Sequence, residues 1–307
     1  LLAASAHATQ QVILSSSTRA YPIGSGRSLE YSKPDFWKDI GSIPSDLGTF
    51  TKNSFSKKNL PWLGAITAST LILIEYDQKI YNNTRRAGKK LSISADDKTK
   101  TFLKIKGVSV FRGPTDLGSA IYFLGDGWVP LGLCAGMLGY GWAADDWRAA
   151  HTGAQLTEGL LATGITTQVL KRISGRETPR AASAPRGVWR LFPSFSDFQG
   201  HRTRYDAFPS GHLATGVMAV TVLAENYPEK KLIKPVGYGL MGALAFQMVN
   251  NGVHWASDYP LGIAIGYGIG KTIAGRGKKV SGEAPKLTLL PAVMPGGSYG
   301  LAAGYRF

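Results

Sequence analysis

The sequence predicts an all-α fold: a helical bundle preceded by an irregular N-terminal lead-in and followed by a C-terminal β-hairpin. Three observations predict it. Apolar stretches of helical length recur between residues 59 and 275, separated by short polar breaks. Small residues inside those stretches, such as Gly153, Gly159, Gly216 and Gly262, let helices approach closely. Past residue 286 the pattern changes to alternation, with Tyr299, Leu301, Ala303, Tyr305 and Phe307 following Pro295-Gly296-Gly297, and a period of two belongs to strands.

In chain order, residues 1–8 read as the end of a signal peptide, an apolar start followed by the small-x-small pattern Ala6-His7-Ala8. An exported bacterial protein starting near Thr9 or Gln10 is expected. Residues 9–58, rich in Ser, Thr, Gly, Pro and Lys, form the lead-in, with one short helix near 33–43. Trp62, Ile66, Leu71, Leu73 and Ile74 predict a helix over 60–80 that ends in the polar stretch 82–90, and the charged segment 96–106 is a surface helix or loop. Further helices are expected at 117–124, 129–150, 152–173 and 212–226, then two within 233–273 broken near 250–259. An irregular insert, 178–209, separates two of them. The chain thus divides into 1–8, 9–58, a helical domain at 59–275, and a linker with the hairpin at 276–307.

A formal net charge of +15 on 307 residues predicts attraction to anions. The basic residues are scattered over loops without interleaved aromatics, so phosphorylated small molecules and membrane surfaces are favoured over nucleic acid. Cys134, alone, forms no internal disulfide. The uncharged runs 127–144 and 235–256 approach the length of a bilayer span, but glycines dilute the first and Asn250, Asn251 and His254 interrupt the second. With a mean hydropathy of −0.05, a periplasmic domain resting on or attached to a membrane, the outer membrane included, is preferred over a polytopic one.

Three segments carry chemistry. Lys171 and Arg172 close a helix with cations, which its dipole favours, and Arg176 follows before Pro179. Pro209-Ser210-Gly211-His212 precedes an apolar helical run; the serine can cap the helix, the glycine lets an anion approach the first amides, and His212 lies in the first turn, placed to donate a proton. In His254-Trp255-Ala256-Ser257-Asp258 the histidine and aspartate are four apart and share a face if helical, so Asp258 can hold one ring nitrogen and leave the other as a nucleophile. Asp145-Asp146 reads as a solvated or capping pair rather than a metal site.

Together these segments resemble the signature of the type 2 phosphatidic acid phosphatase (PAP2) and vanadium haloperoxidase superfamily, over about residues 118–271. The resemblance implies a PAP2-type helical bundle in which His254 attacks phosphorus and forms a phosphohistidine, Asp258 orients it, and His212 protonates the leaving alkoxide. Lys171, Ser210 and Gly211 would hold the phosphoryl oxygens, with Arg176 as a further substrate contact. No metal or other cofactor is required. The expected partners are a phosphorylated lipid or small phosphoester, a membrane surface and an envelope protein assembly.

Two positions depart from the family pattern. Thr178 stands where an arginine precedes the proline, and Gln247-Met248 stands where Ser-Arg is expected. Losing two charge-assisted contacts without replacement costs about 3 to 6 kcal/mol. Arg176, Arg180, Arg202 and Arg204 are the sequence neighbours able to compensate. The sequence therefore supports two readings: a phosphatase acting on a phosphomonoester at the cell envelope, and a non-catalytic PAP2-like subunit with a structural or binding role.

Overall fold

A computed structural model describes residues 12–15, 17–105, 108–126, 128–282, 286–293 and 299–306. Strands β1 (Val12–Ser15), β2 (Thr18–Gly24) and β3 (Arg27–Ser32) open the chain, followed by helices α1 (Phe36–Gly41), α2 (Ile43–Ser54) and the long α3 (Leu60–Lys90). Next come the hairpin β4 (Thr99–Ile105) and β5 (Val108–Pro114), then α4 (Leu117–Phe123), α5 (Trp128–Ala143), α6 (Trp147–Ser174), α7 (Phe195–Gly200), α8 (Gly211–Asn226), α9 (Ile233–Asn250) and α10 (Tyr259–Gly275). Strand β6 (Lys278–Ser281) returns to β3, completing a four-stranded antiparallel sheet in the order β1-β2-β3-β6. The hairpin of β7 (Lys286–Val293) and β8 (Tyr299–Arg306) ends the described chain, in the register Lys286 opposite Arg306.

Side chains that satisfy the first amides set several helix starts. Asp116, Asp146 and Ser210 cap α4, α6 and α8 through the amides of Ser119, Ala149 and Leu213. Helix α6 stops at Gly175, which is left-handed (φ +51°) and packed so closely that a Cβ there would lie 1.9 Å from the Arg190 carbonyl oxygen. Helix α8 lies at the centre, against α6, α9 and α10. Met218 and Val222 on α8 pack with Leu156 on α6 and with Ile265 and Ile269 on α10, and its Leu213 and Val217 pack with Met241, Leu244 and Met248 on α9.

The helical bundle and the C-terminal hairpin form where the sequence places them; residues 1–8 lie outside the described residues. Elsewhere the structure corrects the expected elements. The lead-in is not irregular after residue 17: β2 and β3 bury Tyr21, Leu29 and Tyr31 against Trp147, an alternation too short and too broken by Pro22 and Gly24 to stand out in sequence. Helix α3 continues through the polar stretch to Lys90, residues 99–105 are a strand, and the break between α5 and α6 falls at Asp146. Among the described residues no single helix is long and apolar enough to cross a membrane; α4 and α5, bent by 57°, pass that test only as a pair.

One arginine joins the N-terminal helices to the bundle. Arg276, just past α10, donates from Nε to Asp46 (2.9 Å), from one terminal nitrogen to Asp39 (3.0 Å) and from the other to Glu158 of α6. Three carboxyls around one cation cannot all be charged without cost. Burial, then the hydrogen bond with Asp46, pushes the Glu158 pKa up to about 9.

Arg276→Gln leaves this cluster without its cation and is expected to lower stability by about 3 kcal/mol or more, read as a shift in the denaturant midpoint. The pH dependence carries the sign of a raised carboxyl pKa. Glu158 contributes stability fully below its ordinary value of 4.5 and loses that contribution as pH rises through about 9, so Glu158→Gln should flatten the alkaline limb of the stability profile.

Candidate active site

The C-terminal end of α6, the start of α8 and the turn between α9 and α10 converge, and each brings one of the three segments. The rings of His212 and His254 lie 5.8 Å apart between centroids, edge to face. His254 is buried in the turn before α10 and its Nδ1 lies 2.7 Å from the Ala207 carbonyl oxygen and 3.4 Å from Asp258 Oδ2. A carbonyl only accepts, so Nδ1 carries the proton and donates it, which leaves Nε2 unprotonated. That Nε2 is buried and, among the described residues, has no hydrogen-bond partner. An unpaired buried nitrogen is costly and marks a place kept for something else.

Asp258 reaches His254 by a different route from the helical face expected. Residues 252–255 are not helical, and Asp258 closes a single 3-10 turn, accepting from the Trp255 amide at 2.7 Å. Its other oxygen is 2.6 Å from Arg176, whose opposite nitrogen is 2.7 Å from Asp77 of α3. Arg176 also donates to Ser257 Oγ (2.6 Å) and to the Arg186 carbonyl (2.9 Å), and it is fully buried. With its terminal nitrogens committed in this way, Arg176 supports Asp258 and is not placed as a substrate contact, a correction to the sequence reading.

Lys171 stands over the start of α8: a Cβ built on Gly211 would lie 3.8 Å from its Nζ. Two contacts, each of 2.8 Å, bind that ammonium to Asp206, one to the backbone carbonyl and one to the carboxylate. The carbonyl contact is a hydrogen bond and the carboxylate contact an ion pair. Ser210 is fully buried, its hydroxyl accepting from the Leu213 amide as the α8 cap and standing 3.9 Å from Met248 Sδ. Gly211 and His212 occupy the first helical turn, where backbone amides lack intrahelical acceptors and the dipole favours an anion.

The two departures from the family pattern are packed differently. Met248 is fully buried in the α8–α9 core, and the Thr178 hydroxyl is buried without a partner among the described residues. Of the flanking cations, Arg180 is fixed by bonds from its amide to the Gly252 carbonyl (3.0 Å) and from its side chain to the Ala95 carbonyl (3.2 Å), while Arg202 and Arg204 are exposed.

His212 is half-buried, and its Nε2 is 3.3 Å from the hydroxyl of Tyr122 on α4. Burial first, then the nearby His254 and Lys171, pushes the His212 pKa down to about 3, so the ring is neutral at neutral pH. Burial pushes Tyr122 up to about 12, so its phenol stays protonated beside His212 Nε2. Close approach of this corner depends on Gly125, where a Cβ would lie 2.9 Å from His212 Cβ.

The structure brings together Lys171, Ser210, Gly211, His212, His254 and Asp258. Sequence reasoning missed Tyr122, Asp77 and Asp206. Asp77 stands two residues after Glu75 on α3 and did not stand out from it, and Tyr122, ninety residues before His212, gave no signal either. The arrangement offers an unprotonated imidazole nitrogen, a second imidazole facing it, an ammonium and free helix amides, a set suited to attack on phosphorus with proton transfer to a leaving oxygen.

Residues 152–278 match the family model described as the PAP2 superfamily, and all three chemistry-bearing segments fall within that stretch, which carries the resemblance read from the motifs. Tyr122 and Asp77 lie outside it. Among solved structures the chain is similar to the first transmembrane PAP2 type phosphatidylglycerolphosphate phosphatase from Bacillus subtilis, at 13% identity and a TM-score of 0.38, covering 77% of this chain and 94% of that one. No curated protein matches the chain.

The His212 shift gives a second pH dependence. A histidine whose folded pKa is depressed contributes stability above its ordinary value of 6.5 and loses it as pH falls toward 3. Chemical denaturation across that window should therefore show stability falling with acid, and His212→Asn should reduce the slope.

Proposed function

We propose that this protein is a PAP2-type phosphatase that hydrolyses a phosphomonoester, a lipid phosphate at the bacterial cell envelope, through a phosphohistidine on His254. The observation that carries this reading is the buried, unpartnered Nε2 of His254, on a ring whose centroid lies 5.8 Å from that of His212. In the first step Nε2 attacks phosphorus, the P–N bond forms, the P–O bond to the alcohol breaks, and the departing oxygen takes a proton from His212. In the second, water attacks the phosphohistidine, His212 takes the water proton, and phosphate leaves with the P–N bond electrons returning to His254.

His212 must enter the first step protonated, although burial pushes its pKa down to about 3. A phosphoryl dianion between the rings favours the imidazolium, so binding of substrate itself loads the acid. Lys171 and the amides of Gly211 and His212 take the phosphoryl oxygens as charge develops. Ala207 and Asp258 hold the His254 tautomer, and Arg176 holds Asp258. A lipid substrate fits the exposed apolar side chains of the bundle, among them Leu71 and Ile72 on α3 and Ile165 and Val169 on α6. The envelope location rests on the sequence reading of residues 1–8.

A second reading, a non-catalytic PAP2-like subunit of an envelope assembly, is favoured by one specific observation: Met248 and Thr178 supply no charge to the pocket, and Asp206 already neutralises Lys171.

Phosphate release from phosphatidate and from a generic phosphomonoester separates the two. The wild-type chain should release phosphate, and His254→Ala should lower the rate on the order of a thousandfold or more. Equal release by both proteins overturns the phosphohistidine mechanism, and release by neither establishes the non-catalytic reading. Tyr122→Phe, which removes the hydroxyl bonded to His212 Nε2, is expected to shift the pH–rate profile and alter kcat while leaving KM within about twofold.

A further inference from the structure

Away from the histidine pair, the last turns of α3 meet the segment 91–98 and the end of α9 around a cavity of about 410 Å³, lined by Arg85, Arg86, Lys89, Ile93, Ala95 and Asn250. The volume falls in the range of small-ligand sites, about 300 to 1,000 Å³. Three of the six lining residues are cations, and among the described residues no carboxylate lines the cavity. The helix dipole accounts for cations at this end of α3. It does not account for their gathering around a hollow, where mutual repulsion opposes them.

The walls of the cavity are fixed. Gly88 lets α3 press on α9, since a Cβ there would lie 2.4 Å from Asn250 Oδ1. Arg85 donates to the Asn250 carbonyl at 3.1 Å, and the Asn250 amide donates to the carbonyls of Ile93 (3.3 Å) and Ser94 (3.2 Å). The Arg85 guanidinium is thereby held in place, and Arg86 donates to Asn83 Oδ1 one turn earlier on α3. Arg180 adds a fourth cation at the rim through its bond to the Ala95 carbonyl. Ile93 and Ala95 give the hollow an apolar wall.

We infer that this cavity is a binding site for a phosphate-bearing anion, distinct from the histidine pair. Paired guanidinium groups with an ammonium match the tetrahedral oxygens of a phosphomonoester, and the apolar wall accepts the carbon portion that carries it. A lipid headgroup and a soluble phosphate share this chemistry.

The test uses the full chain in a His254→Ala background, so that binding is read whether or not the histidine pair is catalytic. Two probes are titrated, inorganic phosphate by calorimetry and phosphatidylcholine vesicles with and without phosphatidate by co-sedimentation. The variant Arg86→Gln/Lys89→Gln keeps the Arg85 bond to Asn250, and Lys230→Gln/Lys231→Gln removes the same charge from an exposed loop as the control. The expected result is a loss of affinity of about tenfold or more in the first variant and about twofold or less in the second. Loss for both probes supports the site as stated; loss for phosphate alone makes the ligand soluble, and loss for phosphatidate vesicles alone makes it a lipid headgroup. Unchanged binding of both probes, or equal losses in the two variants, overturns the inference.

Discussion

The buried contact of Arg176 with Asp77 and Asp258 is the constraint on which the candidate site depends. All three side chains are fully shielded from water, an expensive arrangement unless every charge is paired and hydrogen-bonded. Pairing here is dense: the arginine also meets Ser257 and the Arg186 carbonyl and lies over the Trp189 and Trp255 rings at 4.7 and 5.4 Å. Asp77 accepts from the Ser257 amide at 3.0 Å, although burial still raises its pKa. The network ties α3, the end of α6 and the turn before α10 together, and that turn presents His254.

His254 is oriented from two sides, by the Ala207 carbonyl and by Asp258, with the carbonyl much the nearer. The proton on Nδ1 follows from acceptor chemistry, and the free Nε2 follows from that proton. His212 is set by different means, through the first turn of α8, the Tyr122 hydroxyl and the close approach at Gly125. The two rings are held by separate elements joined where the Ser210 amide, at the cap of α8, donates to the Asp258 carbonyl at 3.0 Å.

Charge around the pair is modest compared with what the family pattern implies. Lys171 is shared with Asp206, the Arg176 charge is spent on two carboxylates, and Met248 lies in an apolar core. Anion binding at this site therefore leans on helix amides and a partly neutralised ammonium. A gathering of cations around a cavity lies instead at the end of α3, a second place where the positive net charge of the chain has a defined shape.

Much of the fold was legible because apolar periodicity and helix punctuation are local: the spans of α4, α8, α9 and α10 and the end of α6 followed from runs a few turns long and from Ser210 and Pro179 near their ends. The candidate residues Lys171, Ser210, Gly211, His212, His254 and Asp258 were legible as motifs, since their spacing along the chain is part of the chemistry. The strands of the lead-in were not, because Tyr21 and Tyr31 show their inward direction only once Trp147 and the bundle provide a surface to bury them. Nor could spacing reveal the partner of Arg176, which is supplied by Asp77 from 99 residues earlier, or that of His212, supplied by Tyr122 from 90 residues earlier. By itself the sequence determined the candidate residues and most of the helical segments. Only tertiary packing decided the tautomer of His254, the diversion of Arg176 to Asp258 and the pairing of Lys171 with Asp206, because each depends on a hydrogen-bond partner that folding, not chain order, brings within reach.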